Sequence, residues 1–552
     1  MGGGRRKRKL DADNHSLQGL TTKCISNGNG AARKVFNRRK RLSNVGKSEL
    51  EDGMANYFDY TSPKRLFESL ISPQNFNSFF EDYWEKKPLT LSRKLLPSAL
   101  LEFKSLFSKS ALINLVKNKS IHYERDLNIF RYRNGKRDNF NEKGRVTSKL
   151  EKIITKEKVT VQFHQPQRFQ DSLWQLMEML ESFFGCLVGA NVYITPGGSQ
   201  GLPPHHDDIE AFVIQLEGQK RWRLYKPTVE LPRSYSNGLS EAEIGQPTHT
   251  IILNPGDMLY FPRGTIHQAD TPPSTQFSTH ITISTYQQHS WGDYMMSVFP
   301  SLIEEAMNTD IDFRRGLPIN FIKSTKLSKT DKVQSVMEIL HNKLVKICTQ
   351  KFLMPESMVA DFMRSRLPPY ELKGKVLQDC IPEGAPPDLG CKVRLRYPDH
   401  VCFLIQRPVS EDMDEGDSSD EDASSVDEGT SEVGEQEYSS GSSLSNRTLE
   451  SSLPMPDAES LVVHTSVFND RSHHMMSSHE KTGMGFALRF PKHYLGAMNH
   501  LKSSCDQFTS VKDIELPTDD DRVGLIRALW SSHLLEVIPS ANRKGTKSTK
   551  LD

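Results

Sequence analysis

The stretch that most constrains this chain is Pro204-His205-His206-Asp207-Asp208, answered further along by Pro262-Arg263-Gly264-Thr265-Ile266-His267. Side chains on a β-strand alternate between faces, so His205 and Asp207 point the same way and His267, from a later strand, completes a facial triad. Two histidines and one carboxylate bind iron(II) and leave coordination positions open. An oxidase that uses 2-oxoglutarate needs those positions for its co-substrate and for dioxygen. His206 and Asp208 satisfy the same spacing on the opposite face, and periodicity alone does not choose between the two registers.

The surroundings read as β-structure. Ile209 to Leu216 is a strand, Glu217-Gly218-Gln219 a turn, and Lys220 to Tyr225 the next strand. Leu253-Asn254-Pro255-Gly256-Asp257 makes a second turn, Met258 to Pro262 a short apolar strand, and His267 follows directly. Two hairpins with a histidine at each mouth describe a small β-barrel with a metal in its opening.

Longer runs carry a family likeness. They are Gly189-Ala190-Asn191-Val192-Tyr193-Ile194-Thr195-Pro196, Ser199-Gln200-Gly201-Leu202-Pro203-Pro204-His205, Tyr260 to Asp270, and Ile283-Ser284-Thr285-Tyr286-Gln287. Together they resemble the Jumonji C ribosomal oxygenases, in particular the Myc-induced nuclear antigen branch. The resemblance implies an α+β fold, with a double-stranded β-helix of the cupin type under a helical cover, a helical dimerisation region and a C-terminal winged-helix domain. It implies iron(II) on His205, Asp207 and His267, with 2-oxoglutarate and dioxygen as co-substrates, and so selects the first register. Lys220 would pair with the distal carboxylate of 2-oxoglutarate, with Asn191 and His280 nearby, and Gln162, Tyr193 and Ser284 would lie in the substrate groove. No catalytic residue is expected beyond the metal centre. The implied reaction is hydroxylation of a histidine β-carbon in a large-subunit ribosomal protein. A lysine demethylase acting on histones and a non-catalytic chromatin or ribosome-assembly scaffold are the competing readings. His206 departs from the family, which usually shows tyrosine there.

The remaining chain is organised around that barrel. With 552 residues, several domains are expected. The formal charge is only +2, yet Arg5-Arg6-Lys7-Arg8-Lys9 and Arg38-Arg39-Lys40-Arg41 crowd the first stretch among Gly, Ser and Asn. Residues 1–60 therefore read as a disordered basic tail, serving as a nuclear or nucleolar address or as a nonspecific RNA contact. The catalytic region spans 61–290, opening with a helix near Ser62-Pro63 and an apolar stripe through Phe76, Phe79, Phe80 and Tyr83-Trp84. Asn134-Gly135 marks a hairpin tip, and Leu173, Leu176, Leu180 and Phe183 mark an amphipathic helix closed by Gly185.

After Trp291 the period becomes helical, and residues 291–367 read as a helical region whose apolar stripes suit a symmetric homodimer. Residues 368–409 and 458–540 resemble the family's winged helix, with strands at Val393–Arg396, Val401–Gln406 and Gly485–Phe490 and a helix from Val523 to Leu535. Asp519-Asp520-Asp521 is acidic, which favours protein packing over nucleic-acid contact. Residues 410–457 read as a disordered acidic insertion and 541–552 as a tail. The seven cysteines form no C-x-x-C pair, which argues against a disulfide scaffold and a zinc module. Arginine at position six argues against myristoylation, and no apolar run reaches membrane-spanning length, so a soluble intracellular protein is expected.

Overall fold

A computed structural model of the chain describes residues 57–540, apart from 94–96, 318, 320, 322, 324–330, 351–353, 376, 378–379, 407–458 and 477–485. The expected basic tail up to residue 56, the acidic insertion and the final tail lie outside the described residues.

The cover begins with α1 (Pro63–Ile71), which Ser62 caps by accepting the Arg65 N–H, and whose Leu66, Phe67, Leu70 and Ile71 are buried. The stripe that follows splits into a second helix, α2 (Phe76–Asp82), capped by Asn75. Strand β1 (Leu89–Leu91) and helices α3 (Pro97–Leu106) and α4 (Lys109–Asn118) come next. Strands β2 (Leu127–Arg133) and β3 (Lys136–Asn139) form the expected hairpin, with both tip residues, Asn134 and Gly135, at positive φ. Helix α5 (Leu150–Glu157), strand β4 (Thr160–His164) and helix α6 (Asp171–Phe184) lead into the barrel, and Gly185 ends α6 in the left-handed conformation.

The barrel strands are β5 (Gly189–Pro196), β6 (Glu210–Glu217), β7 (Lys220–Tyr225), β8 (His249–Leu253), β9 (Met258–Phe261), β10 (Ile266–Asp270) and β11 (Phe277–Thr285). They divide between an eight-stranded antiparallel sheet, in order β1-β9-β6-β11-β5-β4-β2-β3, and a three-stranded sheet, β10-β7-β8. This corrects the two-hairpin reading. β6 pairs with β9 and β11, whereas β7 pairs with β8 and β10, so the Glu217-Gly218-Gln219 turn crosses from one sheet to the other. The turn before β9 crosses back. The strands were located correctly, but their pairing partners are distant in sequence. Gly218 is needed at the crossing, because a Cβ there would stand 1.9 Å from the Phe277 carbonyl oxygen.

The large sheet is covered on both sides. Its outer face, including Val161, Phe163, Val192, Ile194, Phe212, Ile214, Ile281 and Ile283, joins Leu66, Phe67, Phe79, Leu173, Leu176 and Leu180 of the helices in one core. Its inner face at β6 and β9 supplies Ala211, Val213, Leu259 and Phe261, which pack against Trp222, Leu224 and Leu253 of the small sheet. Each fully buried side chain of this size contributes roughly 1.5–3 kcal/mol.

Beyond the barrel run α7 (Trp291–Thr309), α8 (Asp331–Gln350) and α9 (Glu356–Ser365). A second core gathers around β12 (Lys392–Leu395), β13 (Val401–Gln406), β14 (Ser460–Thr465), β15 (Phe486–Pro491), α10 (Leu495–Ser503), β16 (Thr509–Ser510), α11 (Asp519–Ser531) and β17 (Leu535–Ile538). The strands form two three-stranded antiparallel sheets, β16-β12-β17 and β13-β14-β15. The last helix starts earlier and ends sooner than the sequence suggests. Thr518 and Asp521 form a capping box, so the acidic triplet is its first turn, where carboxylates suit the helix dipole, and Leu535 belongs to β17. Among the described residues the cysteines are free, and no helix is long and apolar enough to cross a membrane.

One buried ion pair ties the start of β2 to the segment after β4. Arg168 donates to Asp126 at 2.7 Å, with both side chains almost wholly buried. Burial alone would raise the Asp126 pKa, but bonds from Arg125, the His122 N–H and Arg168 outweigh it and hold the carboxyl below its usual value. Asp126→Asn leaves the Arg168 charge buried without its counter-ion, and is expected to cost about 3–5 kcal/mol. The check is the urea midpoint, which falls while the slope of the transition is retained.

Candidate metal centre

The loop before β6 and the strand β10 meet at the barrel mouth. His205 donates its N–H to the His267 carbonyl at 3.1 Å and accepts from the His267 N–H at 2.8 Å, an isolated antiparallel bridge between the loop and β10. His205 and Asp207 therefore lie on a loop entering β6, not on a strand as expected. The Gly264 N–H donates to the Asp207 carbonyl at 2.9 Å and secures that loop. Gly264 has φ +84°, and a Cβ there would stand 2.7 Å from the Val229 carbonyl oxygen, so glycine is required.

This backbone brings three side chains together. The Nε2 atoms of His205 and His267 each lie 3.6 Å from an oxygen of Asp207, and one ligand atom from each residue falls within 4.8 Å of the others. The Nδ1 atoms face backbone carbonyls two residues upstream, Pro203 at 2.9 Å and Thr265 at 3.0 Å. A carbonyl only accepts, so each Nδ1 carries the proton and each Nε2 presents its lone pair to the centre. Burial, and then the neighbouring His205, push the His267 pKa down to about 4, which keeps that imidazole neutral and able to ligate. Two neutral imidazoles and a carboxylate on one side of a point fit iron(II) with open positions.

His206 and Asp208 face away from this cluster. Both are buried, and Asp208 accepts from Gln287 at 3.2 Å. The second register is therefore structural.

The inner face of the large sheet is apolar on β6 and β9 but polar on β4, β5 and β11. Cross-strand registry sets Gln162 beside Tyr193 and Tyr193 beside His280, one row across three strands. Gln162 Nε2 donates to the Tyr193 hydroxyl at 3.1 Å, and the Tyr193 ring stacks on His280 with centroids 4.9 Å apart. Burial, and then the Asp207 charge, raise the Tyr193 pKa, so its hydroxyl keeps its proton. Burial, with the positive charge of Lys220 next, drives the His280 pKa well below the usual value, and its Nδ1 has no hydrogen-bond partner among the described residues. Asn191 Oδ1 accepts from His164 Nδ1 at 3.2 Å in the next row.

Lys220 is 3% exposed, which excludes a solvated strand-end lysine. Its Nζ donates to the Thr195 hydroxyl at 2.9 Å and to the Thr271 hydroxyl at 3.4 Å. Burial pushes its pKa down to about 7, with Asp270 opposing. A buried ammonium whose hydrogen-bond partners among the described residues are two neutral hydroxyls fits an anionic ligand. Ser284 is on the same face as His280, four residues along β11, between Gly189 of β5 and Ala211 at the start of β6.

Sequence reasoning missed Thr195 and Thr271, the partners of Lys220, and Trp222, which packs edge-on against His280 at 5.3 Å. Alternation would have found two of them: Thr195 shares a face with Tyr193 and Asn191, and Trp222 shares one with Lys220.

A family pattern described as JmjC domain matches residues 162–289. Ribosomal oxygenase 2 of Bos taurus is 39% identical over 494 residues, covering 89% of this chain and 96% of that protein. Ribosomal oxygenase 1 of Danio rerio is 37% identical over 341 residues, or 60% and 62% of the two chains. A bifunctional lysine-specific demethylase and histidyl-hydroxylase, NO66 of Drosophila erecta, is 36% identical over 322 residues, or 56% and 48%. With identity of this order along nearly the whole of one relative, and a two-sheet barrel that gathers His205, Asp207 and His267, this chain belongs to the JmjC-domain ribosomal oxygenase family.

Proposed function

We propose that this protein is an iron(II)- and 2-oxoglutarate-dependent oxygenase that hydroxylates the β-carbon of a histidine in a large-subunit ribosomal protein. The observation that carries the reading is the cluster of His205, Asp207 and His267 with both Nε2 atoms turned inward. Iron(II) bound there, with 2-oxoglutarate, supplies dioxygen activation and insertion of one oxygen atom into an unactivated C–H bond, leaving succinate and carbon dioxide.

The chain's own residues hold and orient. His205, Asp207 and His267 would hold the metal, the two imidazoles oriented by the carbonyls of Pro203 and Thr265. Lys220 takes the distal carboxylate of 2-oxoglutarate, and Asn191 and His280 flank it. The polar row of Gln162 and Tyr193, with Ser284 further along, receives the target side chain, and hydrogen-bonding groups of this kind discriminate sharply. They suit an imidazole better than a methylated ammonium, which calls for an aromatic cage.

The helical region supports a homodimer. Met295, Met296, Ile303 and Met307 on α7 and Val336, Met337 and Ile339 on α8 are exposed, seven large apolar side chains on two successive helices. We assign residues 368–409 and 458–540 to a winged-helix domain that packs on protein, its acidic α11 start being ill suited to a nucleic-acid backbone. Residues 1–60 serve as a nuclear or nucleolar address.

Asp207→Ala is expected to lower metal-dependent succinate formation by more than about 100-fold, beyond the loss typical of outer-shell partners. In mass spectra of ribosomal proteins from cells carrying this variant, one histidine oxidised in the wild type is unmodified; loss of no oxidation, with gained histone methylation, favours demethylation instead.

Lys220 gives a pH signature. Its ammonium is the form that binds a carboxylate, and the bound anion raises a pKa that burial holds near 7. Above pH 7 binding must therefore take up a proton, about one per site at most, and affinity falls as pH rises. Calorimetry of 2-oxoglutarate binding at pH 8 in buffers of different ionisation enthalpy reads this directly. No proton uptake at that pH would remove Lys220 from the site.

Ile303→Asp combined with Met337→Asp is expected to yield monomers by light scattering, with the metal site intact. A variant that stays dimeric places the interface elsewhere.

A further inference from the structure

The C-terminal region meets helix α6 at several points, His400 with Glu178 among them, and after β14 it also reaches the first residues of β5. After β14 the chain makes a short turn at Arg471–His473, capped by Asp470, and then places His474 in a buried position. His474 Nε2 lies 2.8 Å from Glu181 Oε1 on α6, and its Nδ1 lies 2.9 Å from Gln167 Nε2. A carboxylate accepts and an amide nitrogen donates, so the proton is on Nε2 and the two bonds agree on one tautomer. Gln167 Nε2 also donates to Gln165 Oε1 at 2.7 Å, and that oxygen accepts the Ala190 N–H at 3.2 Å. A continuous hydrogen-bonded path thus runs from the C-terminal region to the first residues of β5.

Met475, next along, has φ +58°, a left-handed conformation that methionine adopts only when its surroundings hold it there. Its methyl carbon lies 3.2 Å from where a Cβ on Gly189 would stand, and Ser284 Oγ lies 3.3 Å from the same point. Gly189, Asn191 and Tyr193 share one face of β5, and Tyr193 is the residue stacked on His280. Four residues at strand rise separate Gly189 from Tyr193, about 13 Å. The methionine side chain therefore rests on the inner face of the sheet, at the end where β11 pairs with the first residues of β6 and beside Ser284. A Cβ at 189 would crowd Met475, Gln165 and Ser284 together, each of which would have to yield by a few tenths of an ångström.

We propose that Met475, held by the His474–Glu181 and His474–Gln167 bonds, forms the far wall of the substrate groove. It thereby sets how far a bound polypeptide extends from the side chain being oxidised. The inference rests on the oxygenase reading above for its substrate class, but the position of the wall is independent of it. Met475 is a specificity-determining residue contributed by a region remote in sequence from the metal ligands. An unbranched thioether suits such a wall, because it adapts to different neighbours without leaving a void.

The test uses the full-length chain and two readouts. In the first, histidine-containing peptides from large-subunit ribosomal proteins are offered in a long form and in a form truncated on one side of the histidine. Met475→Ala and Met475→Trp are each expected to shift the ratio of the two KM values roughly tenfold, in opposite directions, as one altered pocket contact does. Peptides oxidised with an unaltered ratio in both variants overturn the wall. In the second readout, methionine methyl groups carry carbon-13, the Met475 signal is assigned by its loss in Met475→Ala, and manganese(II) is added to the metal site. The Met475 methyl is expected to broaden. If the wild type oxidises no peptide, the substrate reading fails, and the manganese result still decides: a broadened methyl keeps Met475 facing the centre, whereas an unchanged linewidth removes it.

Discussion

Two reciprocal backbone hydrogen bonds between His205 and His267 are the constraint on which this site depends. They use no side-chain atoms, so both imidazoles are free to turn inward while their main chains are locked. They also join a loop leading into the large sheet to a strand of the small one. The separation of the two histidine ligands is therefore set by the main chain. The Pro203 and Thr265 carbonyls then settle which nitrogen of each ring is presented. Geometry and protonation state come from backbone groups whose positions the barrel already determines.

The large sheet works because its inner face changes character along its width. β6 and β9 direct Ala211, Val213, Leu259 and Phe261 inward and close the barrel with an apolar core. β4, β5 and β11 direct hydroxyl, amide and imidazole groups inward instead, while their outer faces remain apolar and bind the helices. Burying such a polar row is unfavourable unless it is hydrogen-bonded, and it is only partly so: His280 Nδ1 shows what remains unsatisfied. The stability given up there is supplied by the apolar half of the same sheet. An interior that is half dry core and half unfinished hydrogen-bonding surface is suited to a polar guest and would be a poor resting state for a purely structural barrel.

Much of this was legible locally. The limits of β7 and β13 follow from strand alternation, the hairpin at Asn134-Gly135 from its turn residues, and the end of α6 from Gly185. Sheet membership was not legible. A short turn after Leu216 looks like a hairpin because sequence reports the length of a connection and not which edge the next strand finds; here β7 pairs with β10, more than forty residues on. The triad residues were visible, although their strand was in fact a loop, because spacing places two ligands together in either conformation. The burial of Lys220 was not visible, since a lysine at the start of a strand looks alike whether the strand opens to solvent or into a barrel. Strand β14 and helix α10 were also missed, their apolar residues being buried by partners from far along the chain.

Helix α6 shows how far tertiary context reaches. Its Leu173, Leu176, Met177 and Leu180 pack under the large sheet, as an amphipathic pattern requires, which would leave the opposite face for water. Yet Glu181 is fully buried. It accepts the Leu367 N–H at 2.9 Å and meets His474, while Glu178, one turn earlier, lies 2.7 Å from the buried His400. A carboxylate removed from water without such partners would be strongly unfavourable, so these glutamates are compatible with the fold only when the C-terminal region covers them. The polar stripe of α6 is thus an internal interface and not a solvent face. The consequence runs in both directions: the barrel's own helix is complete only with the C-terminal region docked, and that docked region delivers Met475 to the sheet on which the metal ligands' neighbours are arrayed.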